Sequence, residues 1–181
     1  MRRTLALHPD SRCKAVTHID VDVAQAGSGH LTLRYTVTGK IKDVRLPQVL
    51  DSARADELWR HTCFEAFIRA AHGDAYYELN FAPSTQWAAY GFSGYRSGMR
   101  VATELDAPFI EVQSLHDVYT LQAALDLERL PHLPKDAALK LGLSAVIEET
   151  DGTISYWALA HPPGRADFHH SDCFALELAR A

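Results

Sequence analysis

Glu65 and Glu78 are the residues whose type and spacing come nearest to a reactive pair, because two carboxyl groups on neighbouring strands can divide the roles of acid and base. His61 with Cys63, and His170 with Cys173, offer imidazole and thiol as an activated nucleophile would need. None of these is a complete catalytic motif. The strand register derived below sets Glu65 and Glu78 apart, and the cysteines lie on strands with core-like surroundings, where a small thiol is inert. Ser84 and Ser144 lack a Gly-x-Ser-x-Gly elbow, and residues 91–98 (GFSGYRSG) do not open a helix as a phosphate loop does. Ten histidines invite a metal, most densely at His169-His170-Ser171-Asp172-Cys173. Yet His-x-Cys is not the spacing of structural zinc sites, and adjacent histidines on an extended chain point to opposite sides, so no metal centre is expected. The expectation is a protein that binds rather than reacts.

Two loops carry groups suited to binding. Gly91, Gly94 and Gly98 bracket Tyr95 and Arg96, so the backbone can turn sharply and present an aromatic ring and a forked cation at a sheet edge. Residues 161–170 (HPPGRADFHH) leave a strand stiffly through Pro162-Pro163-Gly164 and project Arg165, Asp167 and Phe168. At one end of the molecule the two would make a rim with Arg96, His161 and His169.

The elements that must position these groups are strands. Nearly every segment alternates with period two, giving candidates at 18–23, 30–38, 63–71, 75–82, 100–105, 109–114, 118–127, 138–149, 153–161 and 173–178. About ten strands imply an all-β, two-sheet antiparallel β-sandwich or a barrel. The 181 residues, 47% hydrophobic, suit a single domain, 1–181, with a sizeable core. A net charge of -5, with 18 basic and 23 acidic residues spread along the chain, supplies neither a basic stripe for nucleic acid nor a polybasic patch for anionic lipid. The start, MRRTLALHP, has the charge of a signal peptide but not its apolar stretch, and no run could span a bilayer as a helix. Cys13, Cys63 and Cys173 are odd in number and widely spaced, as reduced thiols in a cytoplasm would be.

Turn residues set the register of two hairpins. A turn at Gly73-Asp74 puts Arg69 opposite Glu78 and sorts Phe64, Ala66, Ile68, Tyr77, Leu79 and Phe81 to the core. Glu65, Phe67, Arg69, Tyr76, Glu78 and Asn80 take the other face. A type I′ turn at Asp151-Gly152 puts Val146 opposite Trp157 and Gly142 opposite His161, leaving Tyr156 in the core and Trp157 above the small Gly142 and Ser144. Aromatic plates with small neighbours, carboxylates and amides suit flat polar ligands such as sugars. The competing expectation is that an outer loop or helix covers this face.

Phe64-Glu65-Ala66-Phe67-Ile68, then Tyr76-Tyr77-Glu78-Leu79-Asn80-Phe81-Ala82-Pro83-Ser84, then Trp87, resembles the middle of the DOMON-like superfamily, which includes family 9 carbohydrate-binding modules. The ending Tyr156-Trp157-Ala158-Leu159-Ala160-His161-Pro162-Pro163-Gly164 and Phe168-His169-His170 is similar to uncharacterised bacterial DOMON-like proteins of about this length. The resemblance implies a jelly-roll-like β-sandwich holding a carbohydrate or a haem. For a sugar it implies a clamp of two tryptophans with polar readers, for which Trp59, Trp87 and Trp157, with Glu65, Tyr76, Glu78, Asn80, Arg96 and His161, are the candidates. For haem it implies an axial methionine and histidine, here Met99 with His161, His169 or His170.

The expected function is thus non-catalytic small-molecule binding, with a carbohydrate or glycoconjugate as ligand. The alternatives are a haem module and a structural or protein-interaction sandwich, and open edge strands allow a homodimer.

Overall fold

The computed structural model describes residues 1–27, 29–134 and 137–179. Its strands are β1 (Arg2–Leu7), β2 (Val16–Ala26), β3 (His30–Gly39), β4 (Cys63–Ala70), β5 (Tyr76–Phe81), β6 (Trp87–Phe92), β7 (Arg100–Val101), β8 (Phe109–Ser114), β9 (Val118–Asp126), β10 (Leu139–Glu148), β11 (Ile154–Ala158) and β12 (Leu176–Leu178). The all-β expectation holds. Every pairing between these strands is antiparallel.

The strands follow one hydrogen-bonded path, β7-β6-β5-β4-β10-β11-β1-β2-β3-β9-β8, with β12 also on β10, where two separate sheets were expected. The link is β1. Its residues 2–5 pair with β2, and Ala6 and Leu7 pair with β11. The sheet curls so that its halves meet across the core: the Tyr35 hydroxyl of β3 donates to the Glu65 carbonyl of β4 at 2.7 Å, and Phe64 lies 5.0 Å from Tyr35 and 6.1 Å from Tyr119, ring to ring. Alternate residues of β2, β3, β9 and β10 (Ile19, Val21, Leu33, Val37, Leu121, Ala123, Leu141, Leu143) fill this core, as period-two patterning requires.

A second apolar cluster lies on the opposite face of β4, β5, β6 and β10. Phe67, Tyr76, Ala88, Tyr90, Phe92 and Val146 are covered there by Phe168, Phe174, Leu58 and Trp59. These strands are therefore buried on both faces, and the cover is Leu58 and Trp59 together with residues 161–174, which include the 161–170 stretch expected to project as a loop. Gly142 lets the 161–174 segment settle. A Cβ there would stand 3.0 Å from the Cys173 carbonyl oxygen.

Both hairpins differ from expectation, with unequal consequences. In the first, residues 70–75 make a wider turn, so Arg69 pairs with Tyr76, Phe67 with Glu78, and Glu65 with Asn80. The displacement from the expected register is two residues, which leaves every side chain on its expected face. It nevertheless removes the Arg69 and Glu78 ion pair: Arg69 instead donates to the Gly73 carbonyl and lies over the Phe174 ring. In the second hairpin, Gly152 sits at φ +87° and its N–H donates to the Glu149 carbonyl, while Thr153 N–H donates to Asp151 Oδ1. This is the three-residue loop of a type I turn closed by a left-handed glycine, not the expected two-residue turn. Val146 consequently pairs with Tyr156, and Ala145 with Trp157. A displacement of one residue exchanges the faces of β11.

Candidate functional site

A cavity of about 370 Å³ opens on the outer face, under the 161–174 segment. Glu65 and Phe67 of β4, Glu78 of β5, Phe92 of β6 and Val146 of β10 form its floor. Trp59, from a single 3-10 turn at Leu58–Arg60, stands at one wall, its ring edge-on to Tyr90. Tyr156 of β11, Met99 and Arg96 of the glycine-rich loop, and residues 166–169 complete the enclosure.

The wider turn of the first hairpin brings Glu65 and Glu78 together, contrary to the separation expected. Glu65 pairs with Asn80, two residues along from Glu78 on the same face. Such diagonal neighbours are about 7–8 Å apart. Burial raises the Glu65 carboxyl well above its ordinary range, and the charge of Glu78 adds to the rise against one hydrogen bond from Ser144 Oγ at 3.3 Å. Burial also raises Glu78, opposed by Asn80 Nδ2, which donates to Oε1 at 2.8 Å, and by Arg96. The floor therefore offers two carboxyls that burial shifts toward their protonated forms.

The rim is a fastened pair of loops. Asp167 accepts from Arg96 Nη2 at 2.7 Å, from the Tyr95 hydroxyl, and from the His169 backbone N–H at 3.2 Å. Burial opposes ionisation of Asp167, but the bonds from Tyr95 and Arg96 outweigh it and hold the carboxyl below its usual value. Arg96 sits at φ +49°, and its backbone N–H donates to the Tyr76 hydroxyl at 3.2 Å. That hydroxyl lies 2.8 Å from His169 Nδ1. Burial, aided by Arg96, pushes His169 down to about 4, so its ring is neutral at pH 7. A neutral ring accepting from Tyr76 at Nδ1 carries its proton on Nε2, which faces Glu78 Oε2 at 3.7 Å.

Of the sequence candidates, the cavity gathers Trp59, Glu65, Glu78 and Arg96. Tyr76, stacked on Phe92 at 4.7 Å, braces His169 and the Arg96 backbone from behind, and fully buried Asn80 holds Glu78. The remaining three lie elsewhere. Trp157 turns into the core with the reversed face of β11, its indole N–H donating to Ser155 Oγ at 3.1 Å. Trp87 is also a core side chain, with the Arg54 guanidinium 4.0 Å above its ring. His161 Nε2 meets the Ala6 carbonyl at 2.9 Å, its ring edge-on to His8. Tyr156, Phe168, Asp167 and His169 join in their place. For Tyr156 the turn type was the missing signal; for the other three it was the docking of a loop onto Gly142.

Met99 and His169 line the same cavity, as an axial pair for haem would, whereas His170 belongs to a neighbouring hollow beside Arg69 and Tyr95. The fit fails at the donors. His169 Nδ1 is engaged by Tyr76, Nε2 faces a glutamate, and the floor is acidic. Among the described residues no group of three His, Cys, Asp or Glu side chains converges as a metal site would require, and no helix is long and apolar enough to cross a membrane.

Fold and site together define an all-β protein with a half-open, mixed aromatic and acidic cavity on the outer face of a curled sheet. Solved structures share this fold. A candidate carbohydrate-binding protein from Bacteroides uniformis superposes over 100% of this chain and 86% of its own, with TM-score 0.71 and 14% identity. A family 9 carbohydrate-binding module from Caldicellulosiruptor kristjanssonii superposes in its glucose complex with TM-score 0.54 (11% identity; 95% of this chain, 80% of that one). Its cellotriose complex gives TM-score 0.50 (11% identity; 91% and 74%). No family model matches the chain, and no curated protein matches it in sequence.

Proposed function

We propose that this chain is a non-catalytic binding protein whose ligand is a carbohydrate or glycoconjugate. The observation that carries the reading is the cavity itself, in which Trp59, Tyr156 and Phe168 surround a floor bearing Glu65 and Glu78. Aromatic faces suit the C–H faces of a sugar ring, while carboxyl and guanidinium groups suit its hydroxyls. A volume of about 370 Å³ lies within the range of small-molecule sites. Support also comes from the fold, shared with modules solved with glucose and cellotriose. The same reading takes the protein as DOMON-like, its curled halves as the two layers of a jelly-roll sandwich, and its setting as a cytoplasm in which Cys13, Cys63 and Cys173 stay reduced.

The test is titration calorimetry with mono- and disaccharides, followed by mass spectrometry of the recovered ligand. Saturable binding that is lost in Trp59→Ala, with the sugar returned intact, is the expected result. Hydrolysis or transfer would overturn the non-catalytic assignment, and silence from every sugar would overturn the ligand class.

A further inference from the structure

We propose that the carbohydrate taken by this cavity carries an amino group, and that Glu65 and Glu78 receive its ammonium; this rests on the sugar-binding reading above and deepens it. Charge is unevenly distributed in the cavity. Its floor presents two carboxyl groups, while the guanidinium at its rim, Arg96, is already joined to Asp167 at 2.7 Å. No lysine lines it.

The Glu65 side chain belongs to a residue 3% exposed, and its Oε2 receives a hydrogen bond from Ser144. Glu65 lines the cavity floor, and Ser144 is the donor seen on its carboxyl among the described residues. Glu78 likewise has one carboxyl oxygen held by Asn80, while Oε2 faces His169 Nε2 at 3.7 Å, beyond hydrogen-bond length. Two carboxyl groups thus line one cavity, and the nearest guanidinium, Arg96, is bonded to Asp167 and not to either of them. An ammonium has three donors and can bridge both carboxylates, whereas a hydroxyl has one donor and leaves the pair's charge uncompensated once water is excluded. The walls agree with the floor, since the aromatic rings of Trp59, Tyr156 and Phe168 that line them suit a cation as well as C–H groups.

Proton linkage follows from the same geometry. The groups facing the pair are Asn80 on β5, Ser144 on β10, Tyr156 on β11, Arg96 on the glycine-rich loop, and Asp167 and His169 on the covering segment. In the free cavity burial raises both carboxyls and so favours their protonated forms. An arriving ammonium favours the ionised pair, so its binding is linked to proton release. A neutral sugar releases none.

The experiment is calorimetry on the full chain at pH 7 with glucosamine, glucose and N-acetylglucosamine, each in two buffers of different ionisation enthalpy. Glucosamine is expected to bind about tenfold more tightly than glucose, as a charge-assisted bond replaces a neutral one. Its heat alone should change with buffer, and N-acetylglucosamine should gain nothing over glucose. Glu65→Gln and Glu78→Gln should bring the glucosamine to glucose affinity ratio toward one; if either variant fails to fold, the buffer dependence of the unaltered protein decides. Equal affinity for glucose and glucosamine, or calcium chloride displacing glucosamine from the same glutamates, overturns the amine assignment and leaves the sugar reading standing. No binding of any of the three sugars overturns both.

Discussion

Trp59, Trp87 and Trp157 are chemically identical and structurally opposed, because strand direction and turn type decide which side of the sheet each ring enters. Trp87 and Trp157 are 4% and 5% exposed within the main core, while Trp59 rests half-buried on the outer face. Truncating a core aromatic costs about 3–5 kcal/mol, so Trp87→Ala and Trp157→Ala should each lower the melting temperature by roughly 10 °C. Trp59→Ala should move it by less than about 4 °C while weakening sugar binding at least tenfold, read by scanning calorimetry and titration. Ionisable residues give a second test. His169 titrates at about 4 in the folded chain against 6.5 unfolded, so neutral His169 contributes stability above pH 6.5 that is lost as pH falls toward 4. The loss is about 3 kcal/mol, and His169→Gln should flatten that limb of a pH series of denaturant melts. Glu65 and Glu78 act with the opposite sign: their raised folded values contribute stability fully present below the unfolded glutamate value and lost as pH rises through the folded ones. Glu65→Gln should therefore raise the melting temperature at pH 8 more than at pH 5. Glu65 and Glu78 were legible as site residues because alternation sorts them to the face opposite the core, and Arg96 because glycines bracket it. Tyr156 was not, since its face depends on one dihedral at Gly152.

At the scale of elements, the turns carry more information than the strands they join. Alternation located β3, β4, β5, β8, β9, β10 and β11, but left the register of the last two to the geometry of residues 149–153. Two strands were missed for different reasons. The β6 sequence, WAAYGF, is buried throughout, so the alternation that marks a half-exposed strand is absent. The β1 sequence, RRTLAL, is the charged opening that had been weighed as a leader, and its pairing with β2 and β11 is visible only in three dimensions. Glycine chemistry supplies the test at this scale. At Gly152, φ +87° is reached with open space around the missing Cβ, so Gly152→Ala should cost about 1 kcal/mol through backbone strain alone. Gly142→Ala meets the Cys173 carbonyl oxygen at 3.0 Å instead. It should lift the 161–174 segment, and sugar affinity should fall more steeply than thermal stability in paired titrations and melts.

Across the whole molecule, one of the buried side-chain hydrogen bonds that tie the two halves of the sheet also bears on the site. The Tyr35 hydroxyl holds the backbone carbonyl of Glu65, so the residue that shapes the cavity floor is anchored from the far side of the core. Tyr35→Phe removes that bond and should cost about 1 kcal/mol, or roughly 2–4 °C, in a melt followed by circular dichroism. The general architecture was legible because period-two patterning and composition leave few alternatives to an antiparallel β fold. Its closure was not, because no local pattern shows that residues 6–7 meet residues 157–158. That distant handshake has a consequence for biosynthesis. During translation β2 and β3 can pair early, but β1 waits for β11 and β4 waits for β10, so the nascent chain leaves the ribosome with unsatisfied strand edges until the last quarter has emerged. Such long-range pairing makes for slow folding, and the interval before β10 and β11 arrive is when this chain is most exposed to aggregation and most dependent on a holding chaperone.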